Sequence, residues 1–171
     1  MKRLPKLLPL LLVVVATPAY AEGAASGVTA LSPMHQIMLF ISFMVIGSGI
    51  LSSGYTLAIS LGAYAACERE ARGAAFIPAL MPGSQGLYSF AISFLMMQNM
   101  TEKPFQVALA GVLCGLPCLM SAFGQARVAA ACIKSINNGQ MDSGQALLAT
   151  GVPELYALTG LAGGFLAMFM I

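Results

Sequence analysis

One glutamate lies deep inside an otherwise apolar stretch of the sequence, and it is the residue best placed to do chemistry. About seventeen residues follow Glu154, so at about 1.5 Å per helical residue it lies well inside a membrane and cannot easily reach water. A charged side chain in lipid is costly and needs partners. We therefore expect Glu154 to carry a function.

Oxygen-bearing residues in two other apolar segments could supply those partners. An internal repeat places Gln85 at the depth of Glu154, with Ser84 beside it, and Gln125 lies in a third segment. The helix-breaking MPG sequence that begins at Met81 could free its backbone carbonyl. Such an all-oxygen set suits Na⁺, and the carboxyl group can bind H⁺ instead because low dielectric disfavours its ionised form.

Simpler roles are open for the same residues. Gln85 and Gln125 could each join helices by hydrogen bonds, and Glu154 could be hydrogen-bonded within a bundle for packing specificity.

Composition indicates a membrane protein. Of 171 residues, 58% are hydrophobic and 8% are charged, where soluble proteins have roughly 25% charged residues. The net charge of +2 is dispersed, which excludes a nucleic-acid partner. No phosphate-binding loop is present, so the chain alone is not an enzyme. The cysteines are predicted to be buried packing residues: Cys67, Cys114, Cys118 and Cys132.

The first 33 residues are predicted to lie outside the helical fold. Residues 1–21 combine the basic residues Lys2, Arg3 and Lys6 with an apolar run and an A-x-A site, as in a cleaved signal peptide. An uncleaved helix is the alternative, although the run is short and rich in proline. Residues 22–33 are predicted to be a flexible extracytoplasmic segment.

Four apolar segments follow, at about residues 34–66, 76–100, 105–133 and 146–171. Each is long enough to cross a bilayer. The fold class is therefore an all-α membrane protein with four transmembrane helices. They are predicted to form two hairpins, residues 34–100 and residues 101–171, and the second carries Glu154, the predicted ion-binding glutamate.

The two hairpins resemble each other in sequence. LGAYAAC ending at Cys67 parallels ARVAAAC ending at Cys132, and PGSQGLYSFAISFL parallels GVPELYALTGLAGGFL. This pattern is typical of a duplicated hairpin and disfavours the inverted repeats of many transporters.

Loop charges predict the orientation. Arg69, Arg72 and Lys134 lie in or near the loops within the hairpins, whereas Lys103 lies between the hairpins. Because positive residues favour the cytoplasmic side, both termini are predicted to be extracytoplasmic.

Small residues recur at helical spacing in the first and third segments. Such rows allow helix backbones to approach closely in lipid. They could pack within the chain or form the inner wall of a ring. The rows are Gly54, Ala58, Gly62 and Ala66, and then Ala122, Ala126 and Ala130.

Three motifs give the chain a family resemblance. PGSQGLY (82–88), GQARVAAACI (124–133) and PELYAL (153–158) closely resemble the bacterial V-type sodium/proton ATPase subunit K, the rotor-ring proteolipid. The resemblance implies a homo-oligomeric ring in a bacterial inner membrane. The ring turns against a stator subunit that bears an essential arginine and is coupled to central-stalk subunits and ATP hydrolysis or synthesis.

The resemblance also implies a site. It implies that no cofactor is tightly bound and that Na⁺ or H⁺ is the transported ion. Three positions depart from the family pattern. Ser84 stands where threonine is usual, and Met81 stands where leucine is usual. Pro153 directly precedes Glu154, which could alter the local helix. The implied Na⁺ ligands are Glu154, Gln85, Gln125, Ser84 and the Met81 carbonyl, with Tyr88 supporting the carboxylate.

Two other functions remain as alternatives. A free-standing four-helix channel or transporter would use Glu154 as a proton relay and would work without partners. A purely structural bundle would tolerate the loss of the acid.

Overall fold

All regular structure within residues 31–169 is helical. The computed structural model describes these residues, so the predicted signal peptide and most of the predicted segment 22–33 lie outside them. The helices are α1 (Pro33–Ala65), α2 (Arg72–Leu80), α3 (Ser84–Asn99), α4 (Pro104–Asn137) and α5 (Ser143–Phe169), and a 3₁₀ turn (Met81–Gly83) joins α2 to α3.

Local sequence explains where several helices begin and end. The Ser32 side chain caps α1, and Pro104 opens α4, where its missing N–H costs nothing. Gly139 follows α4 with φ of 69°, a conformation that glycine adopts without strain. Before α5, Asp142 accepts a bond of 2.8 Å from the Gln145 N–H, and the Gln145 side chain bonds back to Asp142, which forms a capping box.

Three helices, α1, α4 and α5, are long and apolar enough to cross a membrane. The second predicted segment, residues 76–100, is divided between α2 and α3. The division falls at Pro82, which has no N–H and whose ring crowds the preceding turn. The helix break expected at Met81 is therefore present as a 3₁₀ turn.

Serines of α1 hold the broken region in place. Ser53 donates a hydrogen bond of 2.8 Å to the Pro82 carbonyl, and Ser60 donates one of 2.6 Å to the Ala79 carbonyl. A buried carbonyl without a partner costs about 1–3 kcal/mol. These two bonds therefore make an interrupted helix tolerable in an apolar environment.

Helix α4 lies at the centre, where it packs against α1, α5 and the α2–α3 segment. A Cβ atom at Gly115 would lie 2.9 Å from the backbone of Ile46, and one at Gly160 would lie 2.7 Å from Pro117. Both distances are far below ordinary contact. Glycine at these positions therefore sets how closely α1 and α5 approach α4.

The loops within the two predicted hairpins lie at the same end of the molecule. The Glu68 N–H, in the loop after α1, donates a hydrogen bond of 2.7 Å to the Asn137 side chain at the end of α4. This contact agrees with two hairpins that run in the same direction.

The two rows of small residues lie on different surfaces. Ala122 and Ala126 are buried inside the chain, so this row packs α4 against its own neighbours. Gly54 and Gly62 are exposed, with nothing within 4 Å of an added Cβ atom. The α1 row therefore faces outward.

Candidate ion-binding site

The carboxylate of Glu154 lies in the middle of α5 and is only 8% exposed. Its Oε2 atom accepts hydrogen bonds from Ser84 at 2.7 Å, from Gln125 at 2.8 Å and from Gln85 at 3.2 Å. Its Oε1 atom accepts one from the Tyr88 hydroxyl at 2.5 Å. Side chains of α3 and α4 thus surround an acid carried by α5.

All of these contacts are with uncharged groups. Within residues 31–169, the neighbours that bond to the Glu154 carboxylate are amides and hydroxyls, and none is a lysine or arginine. Hydrogen bonds to a charged group contribute about 1.5–3 kcal/mol each, which offsets much of the desolvation cost of the carboxylate. They leave its negative charge in place, so one proton or one monovalent cation would make the site neutral.

The 3₁₀ turn brings a backbone oxygen to the same place. The Ser84 hydroxyl can donate to the Met81 carbonyl at 2.8 Å or to Glu154 Oε2 at 2.7 Å. The Ser84 N–H also bonds to the Met81 carbonyl, which closes the turn. Without the break at Pro82, this carbonyl would be directed along a regular helix.

The two glutamines are completely buried and in contact with each other. The Gln85 amide donates to Gln125 Oε1 and lies 3.3 Å from the Ser121 hydroxyl. Gln125 Nε2 bonds to Glu154 and also to the Thr150 carbonyl at 2.9 Å. Gln125 therefore connects α4 to α5 through its Nε2 atom and to α3 through its Oε1 atom.

The hydrogen bonding of Gln85 is unbalanced. Its Nε2 atom faces three acceptors, on Gln125, Ser121 and Glu154, but carries two hydrogens. Its Oε1 atom is buried and unpartnered among the described residues. Turning the amide over would direct Oε1 toward the other oxygens, an arrangement that is favourable only when a cation is shared among them.

The structure brings all of the predicted site residues together. They lie in one connected set of contacts that spans α3, α4, α5 and the 3₁₀ turn. Pro153, which was expected to alter the local helix, lies inside α5, and α5 continues through it. The set comprises Met81, Ser84, Gln85, Tyr88, Gln125 and Glu154.

Sequence reasoning missed two members of the site. Ser121 donates a bond of 2.6 Å to the Pro153 carbonyl, and the carbonyl of Thr150 accepts from Gln125. Ser121 precedes Gln125, and Thr150 precedes Glu154, by one helical turn. Because residues four apart share a helix face, this spacing was the available signal.

A comparison with protein families gives one match. Residues 108–167 match the family model of the C subunit of ATP synthase. The matched range covers most of α4 and α5 and includes Gln125 and Glu154, and it does not extend to Ser84 or Gln85. No curated protein matches the chain.

Proposed function

We propose that this chain is the rotor-ring subunit of a V/A-type rotary ATPase and carries Na⁺ or H⁺ across the membrane on Glu154. The observation that carries the proposal is a nearly buried carboxylate held by four uncharged donors. The match of residues 108–167 to the ATP synthase family model supports a rotor-ring proteolipid. Such a subunit is not catalytic, and ATP chemistry belongs to partner subunits.

Na⁺ is the preferred ion because the site collects oxygens. The Ser84 hydroxyl contacts both Glu154 and the Met81 carbonyl. Gln125 contacts Glu154 through Nε2, with its Oε1 against the Gln85 amide, and Gln85 would add its unpartnered Oε1 if its amide turned over. One carboxylate balances one monovalent charge. In the absence of Na⁺, a proton on Glu154 would also neutralise the site.

Neutralisation is the basis of the mechanism. With Na⁺ or H⁺ bound, the subunit has no net charge at this depth and can pass through lipid. At the interface with a stator subunit, an arginine would attract the Glu154 carboxylate and displace the ion. Tyr88 and Ser84 would release their bonds to the acid at that step. Rotation of a ring of identical subunits would then couple ion movement to ATP hydrolysis or synthesis.

The proposal fixes a topology. α1, α4 and α5 cross the membrane as single helices, and α2, the 3₁₀ turn and α3 together form the fourth crossing. The two loops that meet at Glu68 and Asn137 face the cytoplasm, because Arg69, Arg72 and Lys134 lie in or near them, whereas Lys103 lies in the loop at the other end. Both termini then lie outside, and the ring lies in a bacterial inner membrane.

A free-standing channel or transporter is the second candidate. A proton or cation relay needs several polar groups along a path, whereas the residues that bond to Glu154 cluster at one depth. The test is ion flux through vesicles that contain only this purified chain. Flux without any partner subunit would favour the channel over the rotor.

The main test is carbodiimide labelling of Glu154 in the detergent-solubilised ring, followed over pH with added Na⁺ or K⁺. We expect Na⁺, and not K⁺, to slow labelling at a fixed pH because the bound ion occupies the carboxylate. Labelling that follows pH alone would assign H⁺ as the ion. Labelling of the Glu154→Gln variant measures the background from other carboxyl groups. If Glu154 does not react and no ring can be isolated, the rotor proposal is wrong.

A further inference from the structure

A pair of thiols lies in the interior of the bundle, outside the contacts of Glu154. Cys114 and Cys118 of α4 are both completely buried, and their Sγ atoms are 3.9 Å apart. Both are free cysteines. We propose that this pair binds a thiophilic divalent cation of the Zn²⁺ and Cd²⁺ class. The inference does not depend on the proposed function of Glu154.

The distance between the sulfurs fits a shared metal ion. Zn–S bonds of about 2.3 Å at a tetrahedral angle place two sulfurs about 3.8 Å apart, close to the observed 3.9 Å. A disulfide fits less well. Residues four apart in a helix have Cβ atoms about 5–6 Å apart, whereas a disulfide needs about 3.5–4.5 Å. A bridging cation therefore requires less distortion of α4 than a bond between the cysteines.

Helix α3 supplies oxygen atoms beside both thiols. The Tyr88 carbonyl lies 3.9 Å from Cys114 Sγ. The Ser89 hydroxyl is fully buried and has no hydrogen-bond partner in the described part of the chain. Ser89 and Cys118 both lie against Gly49 of α1. Two sulfurs and two oxygens would together complete a four-coordinate site.

Charge balance selects a divalent ion. Each thiol gives up its proton to solvent, and each resulting thiolate donates an electron pair to the metal, so two S–H bonds are replaced by two metal–sulfur bonds. With an M²⁺ ion the product is neutral, as burial in an apolar interior requires. A monovalent soft ion would leave one negative charge.

The thiol pair differs in chemistry from the site at Glu154, although Tyr88 contacts both, through its carbonyl at Cys114 and its hydroxyl at Glu154. Cys118 precedes Gln125 by two helical turns, which is about 10 Å along α4. Thiolates prefer soft ions, and carboxylate and amide oxygens prefer hard ions. Na⁺ is therefore not expected to bind at the cysteines.

The test uses the full chain, purified in detergent under reducing conditions and incubated with Cd²⁺. After gel filtration, elemental mass spectrometry measures the Cd²⁺ retained per chain. We expect about one bound ion in the unmodified protein and at least about tenfold weaker binding in Cys114→Ser and Cys118→Ser, since a lost ligand costs more than about 1.4 kcal/mol. The double variant Cys67→Ser/Cys132→Ser is the matched control and should bind as the unmodified protein does.

Thiol alkylation provides a second readout that needs no variant. Bound Cd²⁺ should protect Cys114 and Cys118 from alkylation by a membrane-permeable maleimide. Cys67 and Cys132 should keep their alkylation rates. The proposal is overturned if the unmodified protein retains no Cd²⁺ or if the Cys114 and Cys118 variants retain it equally. Isolation of the chain with a Cys114–Cys118 disulfide would also overturn it.

Discussion

Gln85 and Glu154, which the sequence repeat aligns, lie on helices that accommodate a nearby proline differently. Gln85 follows Pro82 by three residues, and there the chain leaves the α-helix for a 3₁₀ turn. Glu154 directly follows Pro153, yet α5 runs unbroken from Ser143 to Phe169. Residues that the sequence repeat aligns thus have different local backbones.

The neighbouring contacts explain this difference. Around Pro82, the following Gly83 lowers the helical preference further, and Ser53 satisfies the carbonyl of Pro82 from outside the helix. Around Pro153, the side chains of α4 bond to carbonyls of α5 at Thr150 and Pro153 while the helix continues. The half of the repeat with the broken helix supplies the Met81 carbonyl and the Ser84 hydroxyl. The half with the continuous helix α5 supplies the charged carboxylate of Glu154.

The largest expected effect is the loss of that charge. Glu154→Gln keeps the shape of the side chain but cannot bind a cation with charge neutralisation. We expect ATP-driven Na⁺ uptake by membrane vesicles to fall by more than about 100-fold, since coupling depends on charge that appears and disappears. Glu102→Gln, in the exposed loop between α3 and α4, is the control. Normal uptake by the Glu154 variant would leave the acid with a structural role.

A smaller loss is expected when the bridge between α4 and α5 is removed. Gln125→Leu deletes the bonds to Glu154 at 2.8 Å and to the Thr150 carbonyl at 2.9 Å. Na⁺ affinity, measured as protection from carbodiimide labelling, should fall by about 10–100-fold, because each lost bond to a charged or buried group is worth about 1.5–3 kcal/mol. Gln106→Leu on the same helix is the matched control. Equal protection in both variants would remove Gln125 from the site.

The contribution of the 3₁₀ turn can be tested directly at Pro82. Pro82→Ala restores an N–H and permits a continuous helix, which would turn the Met81 carbonyl away from Ser84. We expect Na⁺ to protect Glu154 from carbodiimide labelling about tenfold less well. The reason is that losing one oxygen ligand that contributes about 1.4 kcal/mol weakens binding by about that factor. Protection by low pH should change less, because a proton does not need the carbonyl. An unchanged Na⁺ dependence would show that the turn does not contribute a ligand.

The sequence was sufficient to predict that the residues aligned by the repeat meet. The repeat aligned Gln85 with Glu154, and the structure places their side chains in contact at 3.2 Å. The helix break at Met81 was also predictable, because a Pro-Gly pair has a local effect that needs no tertiary information.

The supporting contacts of Thr150 and Ser53 were not predictable from residue type. Thr150 bonds its own hydroxyl to Ala146, one turn earlier, as threonines in apolar helices commonly do. Its carbonyl serves the site instead. Ser53 likewise shows no signal until the crossing of α1 is known, and that crossing depends on close contacts such as Gly115 with Ile46.

The smallest expected effect on function is at Pro153, the proline inside the continuous helix α5. Pro153→Ala adds an N–H to a helix that is already regular, so the position of Glu154 should not change. A proline inside a helix costs about 3 kcal/mol relative to alanine, although the bonds from α4 lessen the gain here. We expect Na⁺ protection within about twofold of the unmodified chain and a higher midpoint for thermal unfolding in detergent. A loss as large as that of Pro82→Ala would mean that Pro153 shapes the site, and that both halves of the repeat use proline in the same way.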